Sequence, residues 1–420
     1  MQKITKFSLV VLFVMVSGLT LAQNNTNSPY TRFGYGEITD NGSGKSKAMG
    51  GTSIGIRSNT CINTANPASY TSIDSLTFMF EFGGIGQMSR FTNSQGSIHT
   101  YNANIEYITM QFPIKKWLAG SAGLLPYSFV GYNFSSQDSI PTSTNNGIEQ
   151  VKYTLRSLGT GSLNQAYIGL SAKIGKHFAI GLNTSYIFGS IQNTDSLTFV
   201  KSDITSGSAP TTRNATLSVR DINFRYGLQY FTNLSKNTKL TVGLIFENKS
   251  SLNGDYSLGI SGVDTISSKN KASFEKPLTI GGGLSFDFKD KLTIGGDFLY
   301  QNWADAKFFG VKDSLSNRTK FSIGGEYLPN INSKKYINKM TYRFGAFLKN
   351  DYLNINKSTS DYGLTFGLGL PSKGTKSLFN LGFEYGKIGS VSNNLIKEDY
   401  YKISFNVTFN ETWFFKRRFE

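Results

Sequence analysis

The chain has 420 residues, 39% hydrophobic and 14% aromatic, with 33 Phe, 22 Tyr and 44 Gly. One Cys excludes a disulfide scaffold, and two His with one Cys leave no ligand set for a His/Cys zinc site. The formal charge of +16 is scattered along the chain without a basic stripe, so no nucleic-acid partner is expected.

Residues 1–22 read as a secretory signal. Lys3 and Lys6 precede an apolar run through Val10, Leu12, Phe13 and Val16, and Thr20-Leu21-Ala22 suits a signal peptidase. Cleavage there removes two lysines and leaves a formal charge of +14.

Residues 23–73 are too long for a simple tail and are rich in Gly, Ser and Asn. They contain Met49-Gly50-Gly51 and, before the first expected strand, Asn66-Pro67-Ala68. Their composition allows an exposed tail or a plug held inside a barrel, with glycines bringing backbone close to the wall.

From residue 74 the pattern has period two. Phe178, Ile180, Leu182, Tyr186 and Phe188 alternate with Ala179, Gly181, Asn183 and Ser185; Phe379, Leu381, Phe383 and Tyr385 alternate with Asn380, Gly382 and Glu384. One apolar, aromatic face and one polar or glycine face over about ten residues suit a tilted transmembrane strand. No later run of 18 apolar residues offers a membrane helix. Fourteen strands are expected, near 74–90, 98–112, 116–132, 149–173, 177–191, 213–232, 238–262, 276–288, 291–303, 317–328, 339–350, 361–370, 378–388 and 399–409. The 149–173 and 238–262 stretches contain breaks, and splitting both would give sixteen. Short and long connections stay in phase with fourteen, as in an all-β transmembrane antiparallel barrel with both ends in the periplasm. Residues 410–420 form a periplasmic tail. Trp117, Trp303, Trp413 and Tyr132 fall near strand ends, as an interfacial aromatic belt would.

Arg225, Asp287, Asp297, Glu326, Arg343 and Glu384 fall on the polar face, where they meet water, a plug or each other. His99 and His177 are expected at opposite rims, and Cys61 reads as a small packed residue, so no nucleophile constellation is present and an enzyme is not expected.

Met49 to Gly55 followed by Asn66-Pro67-Ala68 resembles the amino-terminal hatch signature of the FadL-type outer membrane transporters. Ser69 stands where many members have Gly. The Tyr30-Thr31-Arg32-Phe33-Gly34 opening and Leu125-Pro126-Tyr127-Ser128 are similar to Bacteroidota members, which implies a Gram-negative outer membrane, its lipid and its lipopolysaccharide as surroundings. The resemblance implies a fourteen-strand barrel with an amino-terminal hatch inside the lumen. It implies passive uptake of hydrophobic small molecules, long-chain fatty acids or aromatic hydrocarbons, without a cofactor or metal. It also implies lateral release at a kink in the third strand, where Gly120, Gly123 and Pro126 lie. Arg32, Lys45 and Arg57 are the hatch candidates for holding a carboxylate. The competing expectation is a structural, plug or shuttle partner of a large protein-secretion subunit, as some Bacteroidota barrels of this kind are.

Overall fold

The computed structural model describes residues 26–144, 147–199, 209–261, 263–268, 274–308, 310, 312, 315–353, 360–373, 376–391 and 396–412. The proposed signal, residues 1–22, and the tail from 413, including Trp413, lie outside them.

Fourteen strands follow one another: β1 Thr77–Asn93, β2 Gly96–Lys115, β3 Leu118–Thr144, β4 Gly147–Ile174, β5 Phe178–Phe199, β6 Thr211–Ser235, β7 Thr238–Glu247, β8 Thr279–Phe288, β9 Leu292–Gln301, β10 Arg318–Tyr327, β11 Thr341–Asn350, β12 Ser360–Pro371, β13 Leu378–Ile388 and β14 Lys397–Thr412. Each pairs antiparallel with the next, and β14 pairs with β1 from Lys397↔Thr92 to Thr412↔Thr77. That last ladder closes the barrel, so no strand edge faces hydrocarbon along it. With an even number of strands, β1 begins and β14 ends at the same rim.

Alternation drives this closure. Ile222, Phe224, Tyr226 and Leu228 on β6 are exposed outward, while Asn223 and Gln229, on the alternate positions, are buried. The same phase runs through Phe379, Phe383 and Tyr385 on β13, outward, and Asn380, buried. An apolar exterior over a polar, covered interior is the reverse of a water-soluble sandwich and is stable only in lipid.

Two sequence expectations change. The 238–262 strand is interrupted: β7 stops at Glu247, and Gly254–Ile260 resumes pairing along the outer extension of β6, from Gly254↔Val219 to Ile260↔Arg213, with the register shifted by one residue. The interruption falls where the sequence marks a break, at the small and polar residues from Ser250 to Gly254. The expected loop at 133–148 is instead a long hairpin of β3 and β4 that stays paired to Thr144↔Gly147.

Trp303 and Tyr132 are not belt residues. Both are buried; Trp303 packs inside the outer half of the barrel, 4.6 Å from the Tyr352 ring and 5.8 Å from the Tyr35 ring. A strand end marks the membrane border equally for an outward and an inward side chain. Trp117, by contrast, is exposed at the inner rim.

Candidate functional site

Residues 26–73 lie against the inner wall, and wall glycines make room for them. A Cβ on Gly324 would fall 2.3 Å from the Met49 carbonyl, and one on Gly345 2.2 Å from the Gly50 nitrogen. Pro67 sits equally close to Gly181, and Ile54 to Gly243. Gly50 and Gly51 turn the chain at φ +69° and +87°, a region other residues rarely occupy.

Polar contacts complete the fit. The Asp297 carboxylate accepts the Ile54 N–H at 2.8 Å and also the Ser53 N–H. Asn66 caps its own turn by accepting from the Ala68 N–H at 3.1 Å and donates to the Ile54 carbonyl at 2.9 Å. Ala68 O accepts from Arg57 and from Ser171 of β4, both at 3.0 Å. One network leaves this segment and returns to it. Lys45 donates to Glu326 (2.6 Å), which accepts from Arg343 (2.7 Å); Arg343 donates to Asn380 (2.7 Å), Asn380 to Asn406, and Asn406 to the Tyr107 hydroxyl (both 2.6 Å). That hydroxyl accepts the Gly44 N–H at 2.7 Å.

The expected inward charges are thus brought together in groups. Glu326 and Arg343 form one. Arg225 pairs with the buried Glu247, which also takes Lys276. Glu384 lies 3.9 Å from Lys402. Asp287 lines a cavity of about 580 Å³ at the inner rim, together with Arg57 and Lys45. Asp40 and Glu247 carry as much of the interior electrostatics as these. Asp40 gives no sequence signal, while Glu247 stands at an inward position at the end of a predicted alternation. Burial works against the Asp40 charge, but Lys320 and Arg318, at 2.7 and 3.0 Å, hold its carboxyl well below the usual carboxylate range.

The three carboxylate candidates occupy different places. Lys45 is buried in its pair with Glu326. Arg57 donates to Ala68 O, Gln229 and Thr71 and lies 4.2 Å from the Phe231 ring centre; burial pushes its guanidinium down to about 10. Arg32 lines an outer cavity of about 440 Å³ with Arg213, Asp195, Tyr132, Ile191, Leu217, Tyr256 and Phe308. Cys61 is buried, which raises its thiol.

The wall itself has a seam. The β2–β3 ladder runs only from Lys115↔Leu118 to Ile108↔Leu124. Among the described residues no pairing joins β2 and β3 beyond that point, although both strands continue outward. Two local features sit at its end. On β2 the register against β1 jumps from Gly83↔Tyr107 to Gly84↔Ile105, leaving Glu106 as a bulge. On β3 the register against β4 shifts between Pro126 and Ser128. Pro126 has no N–H to give a neighbour, so the strand bends where it stands. Gly123 lies one ladder step below, with no room for a Cβ beside the Ile108 carbonyl. Gly120 is deeper in the paired part, against Phe112.

The amino-terminal segment takes up the freed edge of β3. Glu37 and Ile38 pair with Phe129 and Ser128, and Thr39 N–H donates to the Tyr127 carbonyl at 3.0 Å. Behind the seam is a cavity of about 130 Å³. Its wall side is Gln87, Asn104, Glu106, Leu125, Pro126 and Phe129, continued by Lys402 beside Gln87 and Glu384 beside Lys402; Glu37, Asn41 and Lys47 come from the amino-terminal segment, and Lys320 and Lys349 from β10 and β11. Lys47 pairs with the bulged Glu106. Above it, Tyr35, Ile38, Tyr127, Val130, Leu217 and Trp303 form an apolar cluster that separates this cavity from the outer one.

A closed fourteen-strand barrel with a lipid-type exterior and this inner-wall segment has the fold of the FadL-type outer-membrane barrels. The chain belongs to the BamG family, whose model matches residues 2–420. Comparison with curated protein sequences finds no match. Among solved structures, the Pseudomonas putida toluene transporter TodX is similar over 90% of this chain and 99% of its own, at 18% identity and a TM-score of 0.58. The Ralstonia pickettii toluene transporter TbuX matches over 88% and 98% at 15% identity and 0.57. A Pseudomonas aeruginosa FadL homologue matches over 90% and 99% at 11% identity and 0.54. At these identities the likeness is one of fold.

Proposed function

We propose that this barrel takes up long-chain amphiphiles passively across the outer membrane and releases them sideways through the β2–β3 seam. The observation that carries this reading is the coincidence of three features at one height: the end of the β2–β3 ladder, the Glu106 bulge and Pro126, and a cavity directly behind them. An apolar chain that can enter bilayer through the wall avoids crossing water. Residues 23–73 act as the hatch, and Met49, Gly50, Gly51, Asn66, Pro67 and Ala68 seat it on the wall glycines.

The cavity chemistry selects among hydrophobic substrates. Four lysines and four carboxylates line it or its floor, and Gln87 and Asn104 stand at its door. These groups are paired with one another or with neighbours, Lys47 with Glu106, Lys320 with Asp40, Lys349 with Asp361 and Lys402 with Glu37, so a plain hydrocarbon meets a polar lining it cannot hydrogen-bond, whereas a polar head can join these pairs. A fatty acid therefore fits better than an aromatic hydrocarbon. In the outer cavity, Arg32 and Arg213 are the carboxylate contacts, beside an apolar wall of Tyr132, Ile191, Leu217 and Phe308. Titration of the folded barrel with a fluorescent long-chain fatty acid tests this. Saturable binding that weakens about tenfold when both arginines become alanine supports it; binding no tighter than to empty micelles refutes it.

A second reading is favoured by the fastening of residues 26–73. Ion pairs from Asp40, Lys45 and Lys47, and the carboxylate of Asp297, hold the segment at several heights. A permanently filled barrel suits a structural partner of a secretion complex. Purification from native membrane with a stoichiometric large subunit and no lipid ligand would favour that role.

A further inference from the structure

We infer that the inner rim of the barrel binds a shell of anionic phospholipid headgroups. The six connections at the rim where β1 begins and β14 ends are 116–117, 175–177, 236–237, 289–291, 328–340 and 372–377. Together they contain ten lysines and one acidic residue, Asp290. The seven connections at the opposite rim, 94–95, 145–146, 200–210, 248–278, 302–317, 351–359 and 389–396, contain eight lysines and seven acidic residues. The basic excess of the connections is therefore confined to one end.

Its distribution identifies the partner. Every one of the six turns carries an exposed lysine: Lys116, Lys176, Lys236, Lys289, Lys334 and Lys373. A protein docking from one side would need charge on one arc; a ring around the whole circumference matches a ligand that surrounds the barrel. Exposed apolar side chains stand on or beside these turns, among them Ile114, Trp117, Phe178, Leu234, Phe288 and Tyr336. Lys115 lies 5.7 Å from the Trp117 ring centre. An apolar body in the hydrocarbon border with an ammonium reaching outward places each charge at headgroup phosphate depth. Asp290, the one acid, is already paired with Lys239.

The attraction is electrostatic and surface-exposed, so it weakens with salt. The test uses the full-length barrel in bilayer discs of phosphatidylethanolamine and phosphatidylglycerol. Mild extraction follows, and the retained lipids are counted by mass spectrometry. The expected result is retained lipid enriched about threefold in phosphatidylglycerol over the disc. The enrichment should vanish at ~1 M salt and in a variant with Lys116, Lys176, Lys236, Lys289, Lys334 and Lys373 all changed to Gln. Should that variant fail to fold, the salt series on the unaltered protein decides alone. Retained lipid at the disc ratio overturns the inference, as does enrichment indifferent to salt. An acidic periplasmic protein captured by the wild type while the lipid ratio stays at that of the disc would assign the ring to a protein and also overturn it.

Discussion

Lys45 Nζ lies 2.6 Å from Glu326 Oε1, and the other oxygen of that carboxylate accepts Arg343 Nε at 2.7 Å. One acid thus serves a cation from the amino-terminal segment and a cation from the wall. Lys45 and Arg343 are both almost fully buried, so each relies on this carboxylate for its counter-charge.

Glu326→Gln leaves two buried cations short of a counter-charge. Breaking a buried pair from one side costs about 3–5 kcal/mol. The expected outcome is a lower unfolding midpoint together with raised ion conductance in planar bilayers, since the amino-terminal segment loses an anchor. Glu326→Asp should recover part of both. Unchanged conductance in a destabilised barrel would mean that this pair holds the wall and not the amino-terminal segment.

Gly345→Val tests the seating sterically. The new Cβ would lie 2.2 Å from Gly50 N and from Met49 C, both backbone atoms with nowhere to move. Overpacking of this kind costs about 1–3 kcal/mol, and here the segment can relieve it only by lifting off. Protease should then cut within residues 40–60. Gly296→Ala is the control, because its Cβ meets nothing closer than 3.5 Å. Equal protection of both variants would contradict the close fit.

Pro126→Val restores an N–H on β3 at the point where the ladder with β2 ends. The barrel should stay folded and should, if anything, gain stability as the seam shortens. Transfer of a fatty acid into the bilayer should fall several-fold, since substrate-positioning changes of this order are felt strongly. Undiminished transfer by a folded variant would remove the seam from the route.

Two carboxyls give pH effects of opposite sign. Burial raises Asp351, in the outer connection after β11, to about 6, above the ~3.9 of an unfolded chain. A raised acid binds more protons folded than unfolded, so its stabilising contribution is complete below pH ~4 and is lost as pH rises towards 6. Asp40 is depressed despite its burial, by Lys320 and Arg318, so its contribution is present above pH ~4 and is lost as pH falls further. Unfolding midpoints measured from pH 3 to 8 should flatten between 4 and 6 in Asp351→Asn and below 4 in Asp40→Asn. The reverse pattern would contradict these environments.

Much of the barrel was legible because each strand declares itself locally. Phe379, Leu381, Phe383 and Tyr385 need no partner to reveal a face, and all fourteen wall strands stand in their expected order. The phase of Arg225, Asp297, Glu326 and Arg343 was legible for the same reason. What was not legible is relational. The seam is an absence of pairing between Ile105 and the stretch after Leu124, and only the register against β1 exposes Glu106 as a bulge. Pro126 signalled a bend, but not which neighbour it parts from. The seating glycines did leave a trace: Gly181, Gly227, Gly243 and Gly283 on β5 to β8, and Gly324, Gly345 and Gly367 on β10 to β12, recur at inward positions, where a water-filled lumen would accept larger polar residues. Trp303 misled because its place at the end of β9 says nothing of its direction.

Lateral delivery of an amphiphile can be followed as transfer into a reconstituted bilayer. Liposomes containing the oriented barrel and an acidification-sensitive dye would receive long-chain fatty acid from outside a lipopolysaccharide leaflet. Uptake should be about tenfold faster than through protein-free liposomes, lost in Pro126→Val and retained when toluene competes. Uptake equal to the protein-free rate, with the barrel shown to be folded, would contradict lateral delivery and leave the structural role.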